Sequence, residues 1–342
     1  MSTPQPVRMV VLGYGWAANR HVLAARAAAD HGAVVEVVGV AGHHGERAAA
    51  FADRHGIPAW TEDWATLVTD PAVDLVVVAT PNALHHPQAA AALDAGRHVL
   101  VDKPVTVTVA DAEDLCARAE RSGTVLAVGH MWRYRDEVIA VRDRVSAGEL
   151  GRVVRTHGWG VHAGWGPSGW FTDPALAGGG ALIDMGIHAL DTARFLLGDP
   201  QPVRVQASIG RGEFTPAEAR QAAHEPLDDE PLDDDGVVTV DWDDGSRSVV
   251  EFGWWQPYLG GLEADTVVLG TGGSTRIWSP DPPLPTPEEH CSVPMYAAQL
   301  ADVVRCVRHG GTPGASAAVG LTALRIVDAA YRAAAAPPRS TP

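Results

Sequence analysis

The sequence predicts an α/β fold that begins with a doubly wound parallel sheet, and two observations carry this. Over the first 130 residues, short continuous β-branched runs alternate with helical stretches. Strands of that kind are buried on both faces, as a parallel sheet covered by helices requires. A glycine-rich turn, Gly13-x-Gly15-x-x-Ala18, stands between the first such run and the first helix. There the first glycine permits a tight turn and the second lets a pyrophosphate approach the backbone. The small third residue lets helix and strand pack closely.

The predicted elements follow in order. Arg8–Leu12 is the first strand, and an Ala-rich helix runs to about Asp30. Val34–Val40 and Glu46–His55 form the next pair. Then come the strand Leu75–Ala79, the helix Pro87–Ala95, the strand His98–Val101, the helix Val109–Arg121 and the strand Val125–Val128. Further on, Val237–Trp242, Asp243-Asp244-Gly245-Ser246 and Arg247–Phe252 read as a hairpin. Asp265–Leu269 and Thr275–Trp278 read as a second hairpin.

Composition bounds the function. At 342 residues the chain exceeds one ordinary core. It divides into a nucleotide-binding domain at 1–129 and a second domain at 130–342. A formal charge of −16 argues against nonspecific nucleic-acid binding. No apolar run is long enough to span a membrane, and the N-terminus does not resemble a signal peptide. Three widely spaced cysteines without CxxC spacing suit a reducing cytoplasm, where the chain is expected. Residues 213–235 hold nine acids and read as a solvated loop. Lacking the spacing of a calcium loop, this segment is assigned no metal.

Of 26 basic residues, 25 are arginine and only Lys103 is lysine. Arginine is a planar fork that stays protonated. Lysine is a compact ammonium that can donate to one small oxygen, so Lys103 is a candidate where arginine cannot serve. A second candidate follows Gly178-Gly179-Gly180, where Asp184 and His188 lie four apart on one face of a helix. A carboxylate one turn from an imidazole raises its basicity and stabilises the imidazolium. The glycines before them are read as room for a ligand near the backbone. The second strand ends Val40-Ala41-Gly42-His43-His44, without the acid that would bind both ribose hydroxyls of NAD. A 2′-phosphate would meet no repulsion there, and His43 or His44 could donate to it. NADP is therefore favoured over NAD.

Taken together, these segments resemble the Gfo/Idh/MocA family of nicotinamide-dependent oxidoreductases. The likeness rests on Gly13–Ala18, Ala79-Thr80-Pro81-Asn82-Ala83-Leu84-His85, Gly96–Pro104 and Gly178–His188, in that order. It extends to a closing helix at about 315–334. Asp102-Lys103-Pro104 stands where the family usually has Glu-Lys-Pro. The resemblance implies that the second domain carries an open, mostly antiparallel sheet, whose outer face builds homodimers or homotetramers. It implies hydride transfer between NAD(P) and a sugar, sugar derivative or cyclitol. His188 would act as acid and base, Lys103 would polarise the reacting oxygen, and Asp184 would orient His188 or hold a substrate hydroxyl. Gly13, Tyr14, Gly15, Trp16, Ala17, Gly42, His43, Thr80, Pro81, Asn82, His85 and Asp102 would line the cofactor site. Trp165 and Trp170 are candidate sugar-stacking residues, with Arg133 a candidate substrate contact. Two histidines, His157 and His162, are too few for a zinc site. The other readings are an NAD-retaining lyase or glycosidase acting through transient oxidation, and a non-catalytic sensor of dinucleotide or sugar.

Overall fold

The computed structural model describes residues 5–216, 232–257, 264–278 and 292–335. The chain divides into two compact units, Met1–Tyr134 with Cys291–Leu321, and Arg135–His290 with Thr322–Pro342. The return of 291–321 to the first unit has no signal in the sequence, which suggests only one crossing near residue 130.

In the first unit, six strands alternate with helices. They are β1 (Val7–Leu12), α1 (Trp16–Ala27), β2 (Val35–Ala41), α2 (Gly45–His55), β3 (Trp60–Thr61), α3 (Trp64–Thr69) and β4 (Leu75–Val78). α4 (His85–Asp94), β5 (His98–Val101), α5 (Val109–Ser122) and β6 (Leu126–Val128) complete the alternation. All pairings are parallel, in the order β3-β2-β1-β4-β5-β6. All four side chains of β4 are fully buried, which is why these strands read as unbroken apolar runs. Strand order reverses between β1 and β4. That is the switch point at which open α/β sheets leave a crevice at their carboxyl ends.

α9 (Val293–His309) packs on α1 in this unit. Between them His21 is buried edge-on against Tyr296, with ring centroids 5.3 Å apart. Neither of its ring nitrogens has a hydrogen-bond partner among the described residues. Burial holds its pKa below the usual 6.5, against the opposing pull of Asp102. On acidification the unfolded chain therefore takes up this proton before the folded one does. Stability from this residue is complete above about pH 6.5 and is lost as pH falls below it. Melting temperature is expected to drop on acidification below that point, and more shallowly in His21→Leu. His85 and His98, also held low by burial, keep some slope in the variant. Identical slopes in thermal melts of the two proteins would remove His21 from this account.

The second unit contains α6 (Asp136–Ser146), β7 (Val153–Ala163), α7 (Pro174–Ala177), α8 (Ile187–Leu196), β8 (Pro202–Arg211) and β9 (Asp233–Trp242). β10 (Arg247–Gln256), β11 (Ala264–Gly270) and β12 (Gly273–Arg276) follow. Their order is β12-β11-β7-β10-β9-β8, antiparallel except for β7 beside β10. Both expected hairpins are present, as β9–β10 and β11–β12. All ten residues of α8 are buried, against β7, β10 and β11. The closing helix is α10 (Ala317–Ala335).

One expectation is corrected here. The end of the acidic segment is strand, not solvated loop, for Asp233 and Asp234 lie on β9 at 1% and 0% exposure. Asp234 accepts the backbone N–H groups of Glu213, Phe214 and Thr215 and the Thr215 hydroxyl. Donors from residues 213–215 thus replace the water that a lone carboxylate needs. The middle of the segment, 217–231, lies outside the described residues. Among the described residues, no helix is long and apolar enough to cross a membrane.

Candidate active site

At the carboxyl end of β1, Gly13 turns the chain with φ +113°, and a side chain there would collide with the Ala79 carbonyl. Both conditions require glycine. Gly15 caps α1, and a Cβ on it would meet nothing within 4 Å. α1 has no side-chain cap and no acid in its first turn, so its first amides suit an anion. Ala18 is fully buried where helix meets strand. Ala17 follows Trp16, which is 54% exposed beneath the Arg20 guanidinium. The cradle therefore fits a pyrophosphate in the way the glycine pattern implied.

Beside it, the ring of Tyr14 covers Gly42, where any side chain would collide with it. An acid at position 42 would have to displace that ring. The Tyr14 hydroxyl is 3.3 Å from Nδ1 of His43, and the Arg47 guanidinium lies over the Tyr14 ring at 5.1 Å. Glu62 accepts the Gly45 N–H at 2.5 Å, at the start of α2.

The loops after β4 and β5 are joined by His85. Its Nδ1 lies 2.7 Å from the Pro104 carbonyl oxygen and its Nε2 2.9 Å from that of Thr80. With both ring nitrogens so placed, His85 supports these loops from behind. The Thr80 hydroxyl donates to Gln88, and Pro81 leads into buried Asn82. The Asp102 carboxylate accepts the Lys103 amide N–H at 3.0 Å, and a side chain at Gly129 would press on it. Lys103 itself lies just past β5, at the same edge of the sheet. Arg133 is buried, 3.5 Å from the Gly314 carbonyl. His86, which sequence left without a role, is paired with Asp114 on α5.

In the second unit, Asp184 sits in a π-helical turn, Leu182–Gly186, that runs directly into α8 and His188. Such turns recur at functional sites. Glycines let strands close on it. A side chain at Gly160 on β7 would collide with the Met185 carbonyl, and one at Gly186 would crowd Phe252 on β10. Asp184 and His188 are both buried. The Asp184 carboxylate accepts the Trp254 indole N–H at 3.0 Å and lies 3.5 Å from Nε2 of His162. That imidazole stacks on Trp165, ring centroids 3.7 Å apart, and Trp165 is 40% exposed. Trp170 stacks on Phe171 nearby in sequence. At a bulge in β10, Trp255 adopts φ +57°, uncommon for a bulky residue. Its amide donates to the Trp165 carbonyl, tying the Trp165 loop to the strand. Backbone strain of this kind clusters at binding sites.

Comparison with known proteins places the chain in a family. A model of the oxidoreductase family with an NAD-binding Rossmann fold matches residues 7–130, and the Gfo/Idh/MocA C-terminal domain matches 138–276. The rhizopine catabolism protein MocA of Rhizobium meliloti is 31% identical over 264 residues, 75% of each chain. The chain belongs to the Gfo/Idh/MocA family. Among its other relatives is the 1,5-anhydro-D-fructose reductase of Ensifer adhaerens, 37% identical over 183 residues. That match covers 52% of this chain, which spans about half, 54%, of the reductase. Among solved structures, GenD2 from gentamicin A biosynthesis, in complex with NAD, superposes with a TM-score of 0.83. It is 27% identical, covering 98% of this chain and 96% of its own.

Sequence reasoning missed two of the partners that hold Asp184 in this Gfo/Idh/MocA chain. Trp254 lies two residues past the predicted strand Arg247–Phe252 and carried no signal there. His162 was weighed only as a metal ligand, and its neighbour His157 instead pairs with Glu251. Among the described residues, no group of three His, Cys, Asp or Glu is placed to hold a metal.

Proposed function

We propose that this protein is an NAD(P)-dependent oxidoreductase acting on a hydroxyl or keto carbon of a sugar, sugar derivative or cyclitol. The observation that carries the reading is the buried Asp184 carboxylate. Trp254 and His162 hold it one turn before His188, and His162 in turn stacks on the half-exposed Trp165. The bound nicotinamide supplies the hydride donor or acceptor. His188 takes the substrate hydroxyl proton during oxidation and returns it during reduction. Asp184 balances the imidazolium charge or holds a neighbouring hydroxyl. Lys103 donates to the reacting oxygen as negative charge gathers there. The apolar face of a pyranose or cyclitol suits Trp165 and Trp170. Arg133 is a further substrate contact in this reading.

For the cofactor, Gly13, Tyr14, Gly15, Trp16 and Ala17 would hold the pyrophosphate, with Thr80, Pro81, Asn82 and Asp102 along the nicotinamide side. Gly42 and His43 would face the adenosine ribose. We place NADP before NAD, because the end of β2 carries no carboxylate, the Tyr14 ring occupies the space one at position 42 would take, and His43 and Arg47 bring donors. Glu62, which accepts the Gly45 amide, opposes a phosphate, and the donors on His43 and Arg47 have to outweigh it.

Titrating NADPH and NADH against the protein by tryptophan fluorescence tests the cofactor. A turnover panel of D-xylose, D-glucose, scyllo-inositol and 1,5-anhydro-D-fructose tests the substrate class. NADPH is expected to bind more tightly, and Arg47→Ala to weaken it about tenfold, the loss of one charge-assisted contact. NADH affinity should stay within about twofold in that variant, since the lost contact is to the phosphate. Equal weakening of both would sink the NADP assignment. Binding of neither would sink the oxidoreductase reading. Cofactor that co-purifies and never exchanges would instead favour the NAD-retaining lyase.

A further inference from the structure

We propose that Asp233 and Tyr331 form a positioning clamp that sets the turn carrying Asp184 and His188. The Asp233 side chain is buried on β9, yet it belongs to none of the roles above. Its Oδ1 accepts the Gly180 amide N–H at 2.8 Å, and its Oδ2 accepts the Leu182 amide N–H at 2.8 Å. The Tyr331 hydroxyl on α10 donates to the same Oδ1 at 2.9 Å. One carboxylate thereby holds two amides that flank the start of the π-helical turn.

Those amides lie at a helical start, where backbone donors have no partner within the helix. A serine or threonine cap would satisfy one of them. The two oxygens of a carboxylate satisfy both at once and fix the direction in which the turn begins. A carboxylate is costly to bury, so its presence at this point in the core implies a use that a neutral cap would not meet. The Asp184 amide then donates to the Gly180 carbonyl at 3.1 Å, so the catalytic carboxylate is one backbone bond from the clamped residue.

The clamp also accounts for two of the glycines. A side chain at Gly180 would collide with the Asp233 backbone, and one at Gly179 would come within 2.5 Å of the Tyr331 hydroxyl. What had read as space for a ligand is filled by β9 and α10. Asp233 acts through the backbone, so it is a positioning residue and not a catalytic one. This inference rests on the reading of Asp184 and His188 given above.

The test compares Tyr331→Phe, Asp233→Asn, the double variant and His188→Asn with the parent. Three properties are read: amide hydrogen exchange across 178–188, NADPH affinity, and kcat and KM on the best substrate of the panel. Asparagine turns a donor towards one of the two amides, so Asp233→Asn should lower kcat about a hundredfold. Tyr331→Phe leaves the carboxylate in place and should lower kcat about tenfold. Exchange at Gly180 and Leu182 should quicken in both, while NADPH affinity holds within about twofold because those residues lie outside the dinucleotide cradle. The double variant should be no slower than Asp233→Asn alone, since Tyr331 works through Asp233. Parental exchange and kcat in Tyr331→Phe and Asp233→Asn would overturn the clamp. Full turnover in His188→Asn would overturn the catalytic reading instead. The exchange data tell the two failures apart.

Discussion

Lys103→Arg is expected to lower kcat at least about a hundredfold, the low end for a positioned catalytic group, with NADPH affinity nearly unchanged. The substitution keeps the positive charge and changes its shape. An ammonium offers three donors from a single nitrogen and can place one on a developing alkoxide. A guanidinium is broader, and its fork is matched to two oxygens at once. The backbone around Lys103 has little freedom to compensate. Its amide is held by Asp102, whose carboxylate lies against Gly129, and the Pro104 carbonyl that follows is held by His85. Steady-state kinetics of the variant, with NADPH titration as control, decides the matter. A near-parental rate would mean that lysine survives at this position for reasons unrelated to catalysis.

His188→Asn should lower kcat by about a thousandfold, within the range for removal of an acid–base group. It should also remove one limb of the pH profile of kcat/KM, because the group that titrates is gone. The carboxylate of Asp184 would remain in place, held by Trp254. The loss would therefore be of proton transfer and not of local order. Kinetics across pH and a melting temperature near the parent's would establish that. A variant with the parental pH profile would assign the acid–base role elsewhere.

The sheet of the first unit was readable because its physics is local. Val76, Val77 and Val78 are buried on both faces of one strand, so an unbroken apolar run signals them. Gly13 was readable for the same reason, since a tight turn between strand and helix demands it. The hairpins of the second unit carried their own turn residues. The surroundings of Asp184 were different in kind. Trp254 reaches it from 70 residues away in the chain, and Asp233 reaches Gly180 from 53. Nothing in the spacing of either residue records those approaches. The acidic run misled for a related reason. Consecutive aspartates normally seek water, and only donors from elsewhere in the chain turn Asp233 and Asp234 into core residues. The glycines at 179 and 180 were noticed correctly, but their cause lies in β9 and α10.

Tyr14 and Gly42 also bear on how this protein's coenzyme preference could change. In many dinucleotide-binding sheets, one acidic substitution at the end of the second strand supplies a ribose contact and repels a phosphate. Here that single step is obstructed, because a side chain at position 42 would have to displace the tyrosine ring. Moving that ring, or replacing it with a smaller residue, would also withdraw the surface on which Arg47 rests. Gaining a ribose contact on β2 is therefore coupled to losing the aromatic partner of Arg47.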